Sequence, residues 1–482
     1  MTIVLGGGIS GLSAAYYLLK QSKVSHAPKL FEASHRFGGW IKTDVSSNDR
    51  RVRFECGPRT IRPKGVKGLN TLQLCSELGL NNDVLPIKSS HPAAKNRMLV
   101  VNNELCMLPS TLAGAFKTLP PFTRPLIYGF YHDFRHKYTD KPLMDDTIYN
   151  FTERRFGKEI ADYLISSMIC GICAGDAKEI SVKFLLKDLF DYEQKHQSVL
   201  MGIYNKSLER ILQKNVATSP TNSEPIQNCE LVKQSITQKW SIYSMNDGLE
   251  KLPKTLSDHL KSNGVELNTN AKCENIEFGT NGANVTINGK SYETDQLVSS
   301  LPAFELGKLV KKQHPQLADE LLAIPYVDVA VINLQYSGNK NLLKTPAFGF
   351  LVPPAQNLPI LGVLFDSCCF DMGENTVLTV MMGGKWFHER FGNGNEQDLY
   401  EKAIEQIQRI LKIDQRPDAF KVHILRQCIP QYIVGHFDRI DRIMRYIEQN
   451  KLPLKVCGTA YDGVGVNDAI YSAKMAIDSI KK

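Results

Sequence analysis

The stretch TIVLGGGISGLSAAYYLL, residues 2–19, constrains the chain more than any other. Gly6, Gly8 and Gly11 form a G-x-G-x-x-G turn. It lies between the apolar run Ile3 to Leu5 and a segment in which Ala14, Ala15, Leu18 and Leu19 recur on a helical period. In such a turn the first glycine bends the backbone, the second lets it approach a pyrophosphate, and the third lets the helix pack on the strand. The helix N-terminus then presents amides and a positive dipole end to the phosphates. A second short strand, KLFEAS, carries Glu32 about 20 residues further on, where a carboxylate accepts both ribose hydroxyls of an adenosine. Strand, turn, helix and strand make a βαβ unit, so the predicted class is α/β with a Rossmann-like dinucleotide-binding domain. Its candidate contacts are Gly6, Gly7, Gly8, Ile9, Ser10 and Gly11 in the loop, with Glu32 and Ala33 after the second strand.

A chain of 482 residues exceeds one compact core, and several domains are expected. At 43% hydrophobic and 22% charged it is ordinarily globular. The net charge of +8 is spread along the chain. Nucleic acid is therefore not an expected partner, whereas an anionic small substrate or an anionic membrane surface is. The uncharged run Tyr163 to Gly175 falls well short of the roughly 20 residues that cross a bilayer. Phe348 to Phe365 is broken by Pro353, Pro354 and Pro359. Membrane contact should then be peripheral. Removing a presequence would destroy the glycine loop, so any organelle address is expected to be internal.

The cysteines number 11, an odd count without tight spacing, which favours free thiols over a disulfide framework. Cys170 and Cys173, and the vicinal pair Cys368 and Cys369, read as small apolar residues. His132 and His136 lack the glutamate of a zinc-protease motif and read as surface residues. No metal site is expected.

From about Pro92 to Gln197 the texture is helix-rich and punctuated by prolines, with Leu108, Leu112, Phe116, Phe122, Tyr128, Phe130 and Tyr131 among basic residues. Residues 213–230 are polar and turn-rich, and a flexible connection is expected there. Sheet-like segments follow. The C-terminus returns to strand, glycine turn and helix in LKVCGTAYDGVGVNDAIYSAKMAIDSI.

Past Glu32 comes Arg36-Phe37-Gly38-Gly39-Trp40, an R-x-G-G that resembles the second motif of the amine-oxidase-like flavoproteins. There the two glycines let the chain pass beside the flavin's pyrophosphate and ribitol. The resemblance implies FAD rather than NAD. Gly463 and Gly465 lead into a C-terminal helix whose N-terminus, aimed at the pyrimidine end of an isoalloxazine, would stabilise the negative charge of the reduced flavin. Covalent flavin attachment in monoamine oxidases uses an S-G-G-C-Y pattern, which has no match here, so the FAD is expected to be noncovalent, one per chain.

FECGPRTIRP (54–63), HPAAKNR (91–97), NLQY (333–336), QCIPQYIVGH (427–436) and AYDGVGVNDAI (460–470) together resemble the animal protoporphyrinogen oxidases of haem biosynthesis, from Gly6 to about Ile477. The resemblance implies a fold of the p-hydroxybenzoate-hydroxylase and amine-oxidase type in three parts. These are an FAD domain (1–90, 240–305, 440–482), a mixed-sheet substrate domain (206–239, 306–439) and a helical membrane-binding domain (91–205). It implies a six-electron oxidation of protoporphyrinogen IX to protoporphyrin IX, with three O2 becoming three H2O2. It implies a peripheral homodimer on the intermembrane-space side of the mitochondrial inner membrane, able to hand its product to ferrochelatase.

By the same resemblance Arg59 and Arg97 meet the substrate propionates, Leu334 packs on a pyrrole ring, and the Gly171 carbonyl faces the substrate centre. Trp40, Gly57, Pro58, Arg59, Thr60, Cys273, Thr459, Val464, Gly465 and Val466 join Arg36 and Gly39 as flavin contacts. An arginine suits a propionate because its planar fork meets a carboxylate bidentately. No general base stands out, and flavin chemistry needs no nucleophile from the protein. Two alternatives stay open: an amine or polyene oxidase on the same fold, and a non-catalytic porphyrin-binding membrane flavoprotein.

Overall fold

The glycine loop leads out of a five-stranded parallel sheet in the order Leu454–Val456, Gln296–Ser299, Thr2–Leu5, Lys29–Phe31, Glu266–Asn268. The computed structural model describes residues 1–21, 27–135, 142–214, 229–340 and 342–480. Side chains on a strand alternate between its faces, so an all-apolar strand must be covered on both. Val4, Leu30 and Val298 pack against helices Ile9–Lys20, Lys251–Ser262 and Val466–Asp478. Ile3, Leu5, Phe31 and Leu297 pack the other way, against the antiparallel strands within 273–294 and helices Ala303–Val310, Pro315–Leu322 and His436–Gln449. This is the expected Rossmann-like domain.

A seven-stranded sheet forms the second part, in the order Ala419–Pro430, Tyr326–Tyr336, Thr376–Gly384, Ile360–Phe365, Gly349–Leu351, Met98–Val101, Glu104–Met107. Along Tyr326–Tyr336, Ala330, Ile332, Leu334 and Tyr336 join the core under helix Glu396–Leu411. Val327, Val329 and Val331 face Cys170 and Ala174. Asn333 turns to the first domain, donating from Nδ2 to the Glu55 carbonyl at 3.2 Å.

The third part is helical, including Tyr128–Arg135, Ile148–Phe156, Ser166–Cys173, Lys187–His196 and Val199–Lys214. Arg155, fully buried, meets Asp133 at 3.4 Å and Glu193, while Arg154 bonds Asp146 at 2.8 Å. Among the described residues no helix is long and apolar enough to cross a membrane.

Three expected boundaries move. Residues 98–107, assigned to the helical part, are two strands of the seven-stranded sheet. Helix Glu230–Thr237, assigned with residues 206–239 to the substrate domain, packs Leu231 and Val232 into the first domain's core. Leu306, Val310, Leu317 and Leu321 also belong under the first sheet, so the substrate domain does not begin at 306. Each shift has the same cause: a short apolar run does not announce which distant strand or helix will cover it. The expected connection at 213–230 falls largely, and His136 wholly, outside the described residues.

Candidate active site

Gly6 adopts φ +96°, open to glycine but strained for other residues, and its amide donates to the Phe31 carbonyl at 2.9 Å. A Cβ on Gly11 would lie 1.8 Å from the Gly6 carbonyl oxygen, so helix and loop are packed backbone on backbone. Gly8, the N-cap of Ile9–Lys20, differs: a Cβ there would meet only the Gly39 Cα, at 3.9 Å. The space above Gly8 is a cradle at a helix N-terminus, the shape a pyrophosphate requires. Ile9 and Ser10 are buried in the first helical turn. Glu32 accepts from the Gly7 amide at 2.6 Å and the Ser34 amide at 2.7 Å, which fixes its carboxylate beside the loop while leaving lone pairs for ribose hydroxyls. Exposed Ala33 borders it.

Arg36 does not reach outward. Its guanidinium donates to the Phe37 carbonyl at 2.9 Å, the Ile41 carbonyl at 3.2 Å and the Gly39 carbonyl, and pairs with Glu250 at 3.4 Å. It braces the turn in which Gly38 and Gly39 take φ +108° and +57°. Gly57 is forced by proximity, since a Cβ would sit 2.4 Å from the Trp40 carbonyl oxygen. Pro58 and Thr60 flank Arg59 and are half-buried, whereas Trp40 is exposed. Cys273 opens a strand just beyond Ala271, whose amide bonds the Glu32 carbonyl at 2.8 Å. Burial pushes the Cys273 thiol up to about 12, so it stays neutral.

The C-terminal loop lies against the same place. Gly465 caps helix Val466–Asp478, and its amide donates to Asp468 at 3.0 Å. Thr459 and Val464 lie on this loop. Tyr432, absent from the sequence-based candidates, fastens it: the phenol donates to the Thr459 carbonyl at 2.8 Å and accepts from the Gly463 amide at 2.7 Å. Its ring stacks on His436 with centroids 3.9 Å apart. Burial, then Arg439, holds His436 down to about 4, so the ring is neutral.

On the substrate-domain side, Arg59 is not free. It donates to both oxygens of Asp366, at 2.8 and 3.1 Å, and both side chains are buried. Asp366 also accepts from Thr379 at 2.6 Å, and Thr379 from Asn333 at 2.8 Å. Near them Glu55 is pushed up to about 7, chiefly by burial, which outweighs hydrogen bonds from the Leu249 amide at 2.7 Å and Thr43 at 2.9 Å. Arg97 has no carboxylate partner among the described residues. Its guanidinium lies 4.5 Å over the Phe348 ring and makes a 3.4 Å contact with the Ala93 carbonyl.

Gly171 is exposed, and a Cβ there would meet Leu351 at 2.8 Å, so the helix Ser166–Cys173 approaches the sheet closely at that point. Leu334 is fully buried on the face opposite Asn333, among the side chains under Glu396–Leu411. The strand's twofold alternation therefore keeps its side chain away from Arg59 and Arg97, contrary to the expected pyrrole contact. Tyr432, Asp366 and Glu55 were missed because each acts through a partner distant in sequence. Glu55, inside FECGPR, and Tyr432, inside QCIPQYIVGH, lay within stretches already singled out, whereas Asp366 did not.

Asp44 and His423, on separate strands, converge with Cys56, which follows strand Arg53–Glu55. Lys42 already pairs with Asp44 at 2.9 Å, and burial pushes the Cys56 thiol up to about 12, so the group reads as an ion pair against a neutral thiol. Cys170 and Cys173 are buried, and burial raises both thiols.

The family described as flavin containing amine oxidoreductase matches residues 9–480. The chain is 36% identical to protoporphyrinogen oxidase of Homo sapiens over 99% of its length and 98% of that protein. It is 36% identical to that of Bos taurus, over 98% and 97%, and 30% to that of Schizosaccharomyces pombe, over 97% and 96%. Among solved structures, a chain from Exiguobacterium sp. 255-15 superposes with TM-score 0.78 at 20% identity, covering 99% of this chain and 98% of that one. Cyclohexylamine oxidase from Brevibacterium oxydans superposes with TM-score 0.67 at 14% identity, covering 100% and 99%. These two likenesses speak for the fold.

Proposed function

The chain belongs to the flavin containing amine oxidoreductase family, and on that premise we propose that it is an oxygen-dependent, FAD-containing oxidase of protoporphyrinogen IX. The overall reaction removes six electrons to give protoporphyrin IX and turns three O2 into three H2O2, the penultimate step of haem biosynthesis. The observation that carries this reading is near-end-to-end similarity to proteins of that name, joined to a glycine cradle with open space above Gly8.

The residues present fit FAD. Gly6 to Gly11 and the N-terminus of Ile9–Lys20 would hold the pyrophosphate, Glu32 the adenosine ribose, and the Gly38–Gly39 and Gly57–Thr60 turns the passage toward the substrate. The first turn of Val466–Asp478 offers a positive dipole end. FAD, when bound, takes hydride from the macrocycle and passes electrons to dioxygen. The chain itself positions, desolvates and anchors: Arg97 offers a guanidinium over an aromatic face with no carboxylate partner among the described residues, and Tyr432 fixes the loop that carries Thr459 and Gly463.

The protein acts as a peripheral homodimer at the intermembrane-space side of the mitochondrial inner membrane and passes porphyrin to ferrochelatase. Support for the membrane face comes from exposed apolar side chains on the helical part, notably Leu112, Phe116, Phe134, Met144 and Tyr204. Purified protein should show a flavin spectrum and generate porphyrin fluorescence from protoporphyrinogen under air. Flavin without turnover would sink the oxidase reading and favour a carrier. Protease protection in intact and swollen mitochondria tests the membrane face.

A further inference from the structure

The chain leaving strand Ala419–Pro430 ties together two elements that border the site from opposite domains. Gln431, buried, donates from its side-chain amide to the Cys173 carbonyl at 2.9 Å and to the Ile429 carbonyl at 3.3 Å. Cys173 closes helix Ser166–Cys173, whose last turn exposes Gly171 and Ile172 and approaches Leu351, on the strand that follows Phe348 under Arg97. The next residue, Tyr432, reaches the C-terminal glycine loop instead. Its phenol oxygen donates to the Thr459 carbonyl at 2.8 Å and accepts from the Gly463 amide at 2.7 Å, cross-linking the loop ahead of helix Val466–Asp478. Loop and helix end also touch directly, since Val464 packs against the cluster of Ile165, Ile169 and Cys173.

We propose that Gln431 and Tyr432 are a pair of positioning residues that fix the glycine loop against the end of helix Ser166–Cys173, and with it the placement of the flavin relative to the ring it oxidises. This rests on the oxidase reading above and names the residues that set its transfer geometry.

The backbone between the two side chains is itself pinned: the Gln431 amide donates to the Pro325 carbonyl and the Tyr432 carbonyl accepts from the Ser181 amide, both at 2.8 Å. Neither side chain has room to swing. A Cβ on Gly175 would lie 2.3 Å from the Gln431 Oε1, so that amide rests on bare backbone. The Tyr432 ring packs on His436 and Phe184, with centroids 3.9 and 5.1 Å away. Burial pushes the phenol up, so it stays a donor. Apolar side chains of like shape would fill the same space, whereas these spend their polar atoms on backbone groups of two separate elements. Transfer between bound groups is sensitive to such fixing, because a displacement of about 1 Å can cost about 100-fold in rate.

The test uses Tyr432→Phe and Gln431→Met, each keeping the bulk and removing the hydrogen bonds. Flavin-stripped Tyr432→Phe should bind FAD about 3- to 10-fold more weakly, the worth of a neutral hydrogen bond, while Gln431→Met, which touches only the helix side, should bind it as wild type does. In the FAD-loaded proteins mixed anaerobically with protoporphyrinogen, both variants should show flavin reduction slowed about 10- to 100-fold at saturating substrate, with the half-saturating concentration unchanged. Wild-type reduction in either variant, even with a lowered melt, leaves only a structural tie and overturns the proposal, as does equal loss of FAD affinity in both. Wild type whose flavin is not reduced by protoporphyrinogen overturns the functional reading instead. Amide hydrogen exchange then still decides the ties: it should quicken at 459–465 in Tyr432→Phe and at 170–176 in Gln431→Met, and unaltered exchange refutes them.

Discussion

Replacing Gly8 by alanine separates the glycine proposed to serve the cofactor from those that serve the fold. Gly8 sits at φ −68° and ψ 177°, a conformation any L residue adopts, and its Cβ would have only the Gly39 Cα within reach, at 3.9 Å. Without flavin the substitution should therefore be neutral or stabilising by about 0.4–1 kcal/mol, because it narrows the unfolded ensemble. With flavin the sign reverses. The methyl occupies the space where the pyrophosphate approaches, and overpacking of one such group costs about 1–3 kcal/mol, equivalent to binding weaker by about 5- to 150-fold. Flavin-stripped protein titrated with FAD gives the affinity, and melts with and without FAD give the two stabilities, with the wild-type ligand-induced rise shrinking in the variant. Gly11→Ala is the contrast. Its Cβ would be 1.8 Å from the Gly6 oxygen, so it should destabilise both forms. Wild-type FAD affinity in Gly8→Ala, or a flavin-free melt as depressed as that of Gly11→Ala, would refute the assignment of the cradle.

Arg59→Ala should cost about 3–5 kcal/mol by leaving Asp366 buried without its partner, and adding Asp366→Asn should recover part of that loss; a melt unchanged by the single substitution contradicts the pair. His436 is held down to about 4, so the unfolded chain binds the proton first: stability present above about pH 6.5 should fall as pH drops toward 4, by roughly 3 kcal/mol. Denaturant titrations at pH 7 and pH 5 should show this slope, and His436→Phe should flatten it; an equal slope in both proteins rejects the titration. Phe134→Glu with Leu112→Glu should abolish co-flotation with anionic vesicles, whereas raised salt alone should release little of the wild type, because the proposed contact would bury these exposed apolar side chains. Complete release by salt would point to basic residues instead.

Much of the candidate cofactor site could be proposed from the chain because its parts are local. A glycine turn, the strand before it, the helix after it and Glu32 lie within a few dozen residues, and their roles follow from backbone sterics and a helix dipole. The R-x-G-G turn and the C-terminal glycine loop were legible for the same reason, although only the structure shows Arg36 turned inward to brace its own turn. The substrate side was harder, since each of its groups is defined by a partner hundreds of residues away. The GPRT stretch could not reveal that Asp366 pairs with Arg59. Leu334 fell on the other face because strand alternation, set by the pairing of Tyr326–Tyr336 with its neighbours, decides which side chains reach a site. Residues 98–107 joined the large sheet because an apolar run seeks any open strand edge that will bury it. The sequence by itself determined which cofactor the chain can hold, through steric rules that act over a few residues. The tertiary structure alone decided which arginines remain available to a substrate, because charge pairing and burial depend on contacts that no local pattern encodes.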